Sequence, residues 1–228
     1  MADNEMFIHY YMTQEPLVIA AEMPISEARE LLHRHSFRHL PVVNKDTTLC
    51  GMITDRDLRS ACPSTLLHEN ERNRVLAKVR TTPVSAIMAK HFFSLRTNST
   101  LDDALLLFSS HSIGALPVID ESNRVQGIFS LNDMMSAYQN LFGLGEKGSM
   151  LVAIQDTGEA DLLGRLVSAL DNAHISCTRL VRSTATDKRQ PNAIYLRVNT
   201  YKLSSVHAVI HSLGCTMLAP DGSLKGDS

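Results

Sequence analysis

The chain has 228 residues, 44 % apolar and 20 % charged, with 11 Gly and 8 Pro. That length suits one large domain or two to three small ones, and the composition excludes a disordered, collagenous or wholly membrane-embedded chain. With 22 basic against 24 acidic residues the formal charge is −2, so no global field draws the protein to nucleic acid or an anionic bilayer. The four cysteines, Cys50, Cys62, Cys177 and Cys215, form no CxxC pair, and the N-terminus shows no basic segment followed by an apolar run. No apolar stretch approaches the ~20 residues of a membrane span. The expectation is a reduced, cytoplasmic protein with no membrane or nucleic-acid partner.

An internal repeat organises the first two thirds. Met12 falls on Met88, Ala28 on Ala104, Pro41 on Pro117, Gly51 on Gly127 and Asp57 on Asp133, each 76 residues on. His35/His111, Ser36/Ser112, Leu40/Leu116 and Val42/Val118 extend the match without a gap. Residues 8–62 and 84–141 are therefore read as two copies of one unit.

In chain order, each copy reads as strand, helix, strand, strand, helix. Leu17–Ile19 and Phe93–Leu95 are short apolar runs. Pro24 stands at an expected first-turn position of the next helix, and Ser99 with Asp102 as an expected capping box of its counterpart. Ile25, Ala28, Leu31 and Leu32, then Leu101, Ala104, Leu107 and Phe108, recur at helical spacing and predict one buried face each. Leu40–Val43 and Leu116–Ile119 follow, then the polar turns Asn44–Thr48 and Asp120–Arg124, then Leu49–Ile53 and Val125–Phe129. Runs apolar on both faces suit strands covered on both sides.

Between the copies, residues 63–83 carry Arg72, Arg74, Lys78 and Arg80 against Glu69 and Glu71. With no aromatics among these charges, the stretch reads as a solvated connecting helix and not as a nucleic-acid patch. Residues 142–149 contain Gly143, Gly145 and Gly148 in a GxGxxG spacing. A dinucleotide site needs a strand running into such a loop and a helix leaving it; here a helix (Asp133–Leu141) precedes and an apolar strand (Met150–Gln155) follows. The glycines read as a helix stop and hinge.

Residues 150–220 predict strand (Leu151–Gln155), helix (Asp161–Ala173), strand (Ser176–Arg182), a turn around Asp187–Asn192, strand (Ile194–Val198), helix (Leu203–Leu213) and a short strand (Thr216–Leu218). This βαββαβ order folds as a four-stranded sheet with two helices on one face. The fold class is thus mixed α/β (α+β), two tandem βαββα repeats packed as a pair followed by a βαββαβ ferredoxin-like domain.

The strongest constellation is Gly51-Met-Ile-Thr54-Asp-Arg-Asp57, repeated as Gly127-Ile-Phe-Ser130-Leu-Asn-Asp133. Each places a hydroxyl where a strand passes into a helix and a carboxylate three residues on. That spacing is a capping box, in which both groups satisfy orphan N–H groups. The alternative is a ligand site, since a carboxylate and a hydroxyl fit a ribose diol and a helix start favours phosphate. On spacing alone both readings stand.

The block from Phe37-Arg-His-Leu-Pro-Val-Val-Asn44 to Asp57, with its copy from Ile113-Gly-Ala-Leu-Pro-Val-Ile-Asp120 to Asp133, resembles a tandem CBS-domain pair, the Bateman module. The resemblance implies a regulatory protein that binds adenosine nucleotides in the cleft between repeats, without catalysis and without a required cofactor. It implies ribose contacts from Asp57 with Thr54 and from Asp133 with Ser130, and a phosphate contact from Arg56, where the second copy has Asn132. It also implies His39, Pro41 and Ile19, and on the second copy Ala115, Pro117 and Leu95, as ligand-lining positions. The tail from Met150 to Leu218 resembles an ACT domain, a second sensor or dimerisation module. CBS repeats followed by such a tail are similar to acetoin-utilisation-type bacterial proteins, and both module types imply a homodimer. The alternative is a ligand-free assembly module whose Thr/Ser-x-x-Asp motifs are only caps.

Other candidates are weaker. His33, His35 and His39 straddle a helix end, and His207 and His211 stand at i,i+4 with no third ligand apparent, so no metal is expected. The ten methionines read as core filling. No GxSxG or comparable signature assembles a catalytic triad.

Overall fold

A computed structural model describes residues 6–64, 66–185 and 191–218. The fold is mixed α/β and divides into two units, Met1–Ala137 and Tyr138–Ser228. The first contains β1 (Thr13–Gln14), β2 (Ile19–Ala20), α1 (Ile25–His35), β3 (His39–Val43), β4 (Leu49–Thr54), α2 (Asp55–Ala61) and α3 (Glu69–Thr81). Next come β5 (Leu95–Arg96), α4 (Leu101–His111), β6 (Ala115–Ile119), β7 (Val125–Ser130) and α5 (Leu131–Leu141), which runs past the division.

The 76-residue repeat is carried into the register. Ile19 lies opposite Val42 in parallel β2/β3, and Leu95 opposite Val118 in parallel β5/β6. The antiparallel pairs β3/β4 and β6/β7 match Pro41 with Met52 and Pro117 with Ile128, and both shift register one step after the Val42/Gly51 and Val118/Gly127 pairs. Helices α1 and α4 bury Ile25, Ala28 and Leu32, and Leu101, Ala104 and Phe108. They end where Ser36 and Ser112 turn left-handed, with φ of 54° and 52°. Leu40, Ile53, Leu116 and Phe129 are sealed from solvent, each worth ~1.5–3 kcal/mol of burial.

Two helix starts differ from expectation. The capping box of α4 is Thr100 with Asp103, not Ser99 with Asp102: the Thr100 Oγ1 accepts from the Asp103 amide at 3.1 Å and the Asp103 carboxylate accepts from the Thr100 amide at 2.8 Å. Ser99 instead accepts from the Arg96 amide, closing the turn before the helix. Pro24 is the residue flanking α1 and not its first-turn residue; its ψ of 144° keeps it extended.

The sequence reading missed β1, a strand too short for a periodicity signal. It explains how the repeats join, because the leading segment of each repeat crosses to the other's sheet. Thr13 pairs with Ile128 of β7, and Ala89 bridges Met52 of β4 at the same offset. Helix α3 is largely exposed, holding Val79 in the core of the first repeat with Val75 half-buried beside it.

In the second unit, α5 stops in a Schellman arrangement: the Leu144 amide donates to Gln139 and the Gly143 amide to Asn140, with Gly143 at φ +63°. Arg179 donates to the carbonyls of Asn140 and Leu141 at 3.0 Å and pairs with Glu146 at 2.9 Å. The sheet contains β8 (Ser149–Gln155), β9 (Ser176–Ser183) and β10 (Ala193–Asn199), with β10 central and antiparallel to both, and the helices are α6 (Leu162–Asn172) and α7 (Leu203–Ser212). The expected fourth strand is reduced to one bridge between Met217 and Ile154. Of the expected turn Asp187–Asn192, residues 187–190 lie outside the described residues.

Candidate ligand-binding cleft

Strand β4 ends at Thr54, whose extended backbone turns directly into α2. The Thr54 amide and hydroxyl both donate to Asp57 Oδ2, at 2.8 and 2.6 Å, and the Asp57 amide donates back to the Thr54 hydroxyl at 3.3 Å. The second repeat repeats this box, Ser130 amide and hydroxyl each 2.7 Å from Asp133 Oδ2. Both caps are therefore formed. In each, the carboxylate's other oxygen, Oδ1, takes no hydrogen bond among the described residues, so capping and ligand contact do not compete for one atom.

A cleft of about 710 Å³ opens beside Thr54 and Asp57, within the size range of small-molecule sites. The first repeat contributes Arg38, His39, Arg56 and Arg59; the second repeat and the segment leading into it contribute His91, Phe93, His111, Gly114 and Ala115. Arg59 is ion-paired with Asp55 one turn earlier, whereas Arg38 and Arg56 form no ion pair among the described residues. The ring of His39 lies against Gly114: a Cβ there would come within 3.3 Å of the imidazole Cε1. Burial pushes the His39 pKa down, Arg38 adds to this, and Asp57 opposes it. Phe93 and His111 stack with centroids 3.8 Å apart, forming a flat aromatic shelf.

Of the expected ligand-lining residues, Thr54, Arg56, Asp57, His39 and Ala115 come together in this cleft. Pro41, Ile19, Pro117 and Leu95 are buried within their strands and do not line it, and Ser130 and Asp133 lie outside its lining. Sequence reasoning missed Arg38, His91, Phe93, His111 and Gly114. The available signal was a break in the repeat, since Arg38 falls on Gly114 and His39 on Ala115 within otherwise matching blocks. The second motif is less charged: Leu131, Asn132 and Met135 stand where the first has Asp55, Arg56 and Arg59.

Among the described residues no three His, Cys, Asp or Glu side chains converge as a metal site, and His207 Nε2 is buried without a hydrogen-bond partner. Nor, among those residues, is any helix long and apolar enough to cross a membrane.

The CBS domain model matches residues 8–64 and 84–140. The chain belongs to the CBS domain family. A CBS domain-containing protein of Dictyostelium discoideum is 33 % identical over 131 residues, covering 58 % of this chain and 90 % of that protein. Among solved structures, CBSX2 in complex with AMP is similar at 24 % identity and a TM-score of 0.51, over 60 % of this chain and 98 % of that one. An acetoin utilization protein (AcuB) from Vibrio cholerae is similar at 24 % identity and a TM-score of 0.50, over 61 % and 95 % of the two chains. These two likenesses extend to the fold.

Proposed function

We propose that this chain is a regulatory, non-catalytic protein that binds an adenosine nucleotide in the Thr54–Asp57 cleft. One observation carries the reading: a carboxylate with one oxygen available for a ribose diol shares a cleft with two arginines that have no anionic partner among the described residues. Asp57 Oδ1 accepts from the ribose hydroxyls, Thr54 holds that carboxylate in place, and the Phe93–His111 shelf stacks the base. Arg38 and Arg56 take the phosphate, forming charge-assisted bonds stronger than neutral ones. The AMP seen with CBSX2 supports the same ligand class here.

The organisation we propose is a first CBS repeat over 8–62, a connecting segment over 63–83, a second repeat over 84–141, a glycine-rich hinge over 142–149 and an ACT-like domain over 150–220. The placement of β10 between β8 and β9, with α6 and α7 in their expected order, supports the last. We read it as a second sensor or dimerisation module of a cytoplasmic homodimer that passes the ligand signal to a partner protein. The Ser130–Asp133 motif is proposed as a second, less anion-selective ligand position.

The competing reading is a ligand-free assembly module, favoured by the complete capping boxes at both motifs. The two separate on purification. Protein prepared without nucleotide stripping carries absorbance at 260 nm and an adenosine nucleotide identifiable by mass spectrometry if the cleft is a site; the chain contains no Trp, which makes carry-over easy to detect. Protein that is clean before stripping and binds none of AMP, ADP or ATP overturns the proposal.

A further inference from the structure

Charge matching within the cleft takes the nucleotide reading, on which this inference rests, one step further. Two guanidinium groups, those of Arg38 and Arg56, are unpaired among the described residues, while Arg59 is ion-paired with Asp55 and Asp57 keeps its negative charge as it caps α2. Set against the Asp57 carboxylate, those two positive charges match no more than a single phosphate monoester, which carries about −1.5 to −2 at pH 7. Each further phosphate adds negative charge that no permanent cation in the lining offsets. The remaining reserve of positive charge is imidazole: His91 from the segment before β5 and His111 from the end of α4 both line the cleft. His39, facing them from β3, is half-buried against Gly114, and its burial and Arg38 disfavour protonation. Histidine is the side chain whose charge changes near neutral pH.

We propose that the cleft reads the number of phosphates on its nucleotide against pH, matching a monophosphate with Arg38 and Arg56 at any neutral pH but holding a triphosphate tightly only when His91 and His111 are protonated. A fall in pH then shifts the occupant from monophosphate towards triphosphate. Phe93 is part of this device, since its ring packs on His111 and fixes the imidazole at the cleft wall.

The test is titration calorimetry with AMP and ATP as probes, in EDTA so that no magnesium neutralises the triphosphate, at pH 8 and pH 6. A histidine whose pKa rises by about one unit on binding strengthens affinity by at most about tenfold across that interval, and two such histidines together exceed tenfold. The ratio of the ATP dissociation constant to that of AMP should therefore fall about tenfold or more in the wild type. In a His91→Gln/His111→Gln double variant, whose residual pH dependence reports the ligand's own titration, the ratio should change far less. As a measurement independent of the variant's folding, wild-type titrations at pH 7 in two buffers of different ionisation enthalpy should show more protons taken up with ATP than with AMP. Equal uptake, or an equal change of ratio in wild type and variant, overturns the inference and leaves the nucleotide site standing. Failure of both probes to bind wild type at either pH overturns the nucleotide reading and this inference together.

Discussion

Met12 packs its thioether against Gly127, so closely that a Cβ on the glycine would lie 2.5 Å from the sulfur, and Met88 does the same to Gly51 in the other repeat. These four residues are two of the identities by which the repeat is recognised. They are also where the crossing segment of one repeat meets the outer strand of the other, so the coincidence in sequence records a packing requirement. Replacing Gly127 or Gly51 by Ala should destabilise the first unit by about 1–3 kcal/mol through overpacking. Met12→Ala should absorb part of the cost of Gly127→Ala in a double-mutant cycle read by chemical denaturation; strict additivity would mean the two side chains do not share that space.

Arg56→Gln should reduce the preference for AMP over adenosine by about tenfold, the equivalent of ~1.4 kcal/mol, while changing adenosine affinity little. The comparison isolates the guanidinium's part in phosphate binding, because Asp57, Thr54 and the aromatic shelf remain. Equal loss for both ligands would place Arg56 in a structural role.

Gly145→Ala should leave nucleotide affinity within about threefold of wild type, since an Ala lacks glycine's freedom at positive φ but the position offers no ligand contact. Gly145 sits at φ +86° with nothing within 4 Å of an added Cβ, so the expected cost is backbone strain of ~1–2 kcal/mol, read as a lower melting temperature. A large loss of affinity would show that the GxGxxG segment takes part in binding.

The second unit should lose stability in acid through one identifiable pair. Arg182 donates to both carboxylate oxygens of Asp156, at 2.6 and 2.8 Å, and these bonds lower the Asp156 pKa. The folded value thus lies below the unfolded one of about 3.9, so the contribution is present above that pH and is lost as pH falls through the folded value. Arg182→Gln should flatten this part of the acid denaturation curve; an unchanged curve would assign the acid sensitivity to other carboxylates.

The repeat, its two helices and the capping motifs were legible because they rest on local spacing: Ile25, Ala28 and Leu32 recur on one helix face whatever surrounds them. The capping box of α4 was displaced by one residue because Ser99-Thr100 with Asp102-Asp103 offers two registers of equal chemistry, and the turn made by Arg96 with Ser99 selects the later one. The β1 crossing could not be read, since a two-residue strand has no period and its partner lies more than a hundred residues away. The cleft itself was half legible. Thr54, Arg56 and Asp57 are announced by a motif, whereas His91, Phe93, His111 and Gly114 are gathered only by folding the second repeat against the first.

The measurement that bears most directly on the central claim is AMP affinity and thermal stability of Asp57→Ala, taken together on the same preparation. A carboxylate accepting from ribose hydroxyls forms bonds worth roughly 1.5–3 kcal/mol each, so affinity should fall on the order of 10–100-fold, with a melting-temperature loss attributable to a cap worth about 0.5–2 kcal/mol. A lower melting temperature with unchanged AMP affinity would contradict the account, leaving Asp57 as a helix cap and the cleft without its ribose anchor.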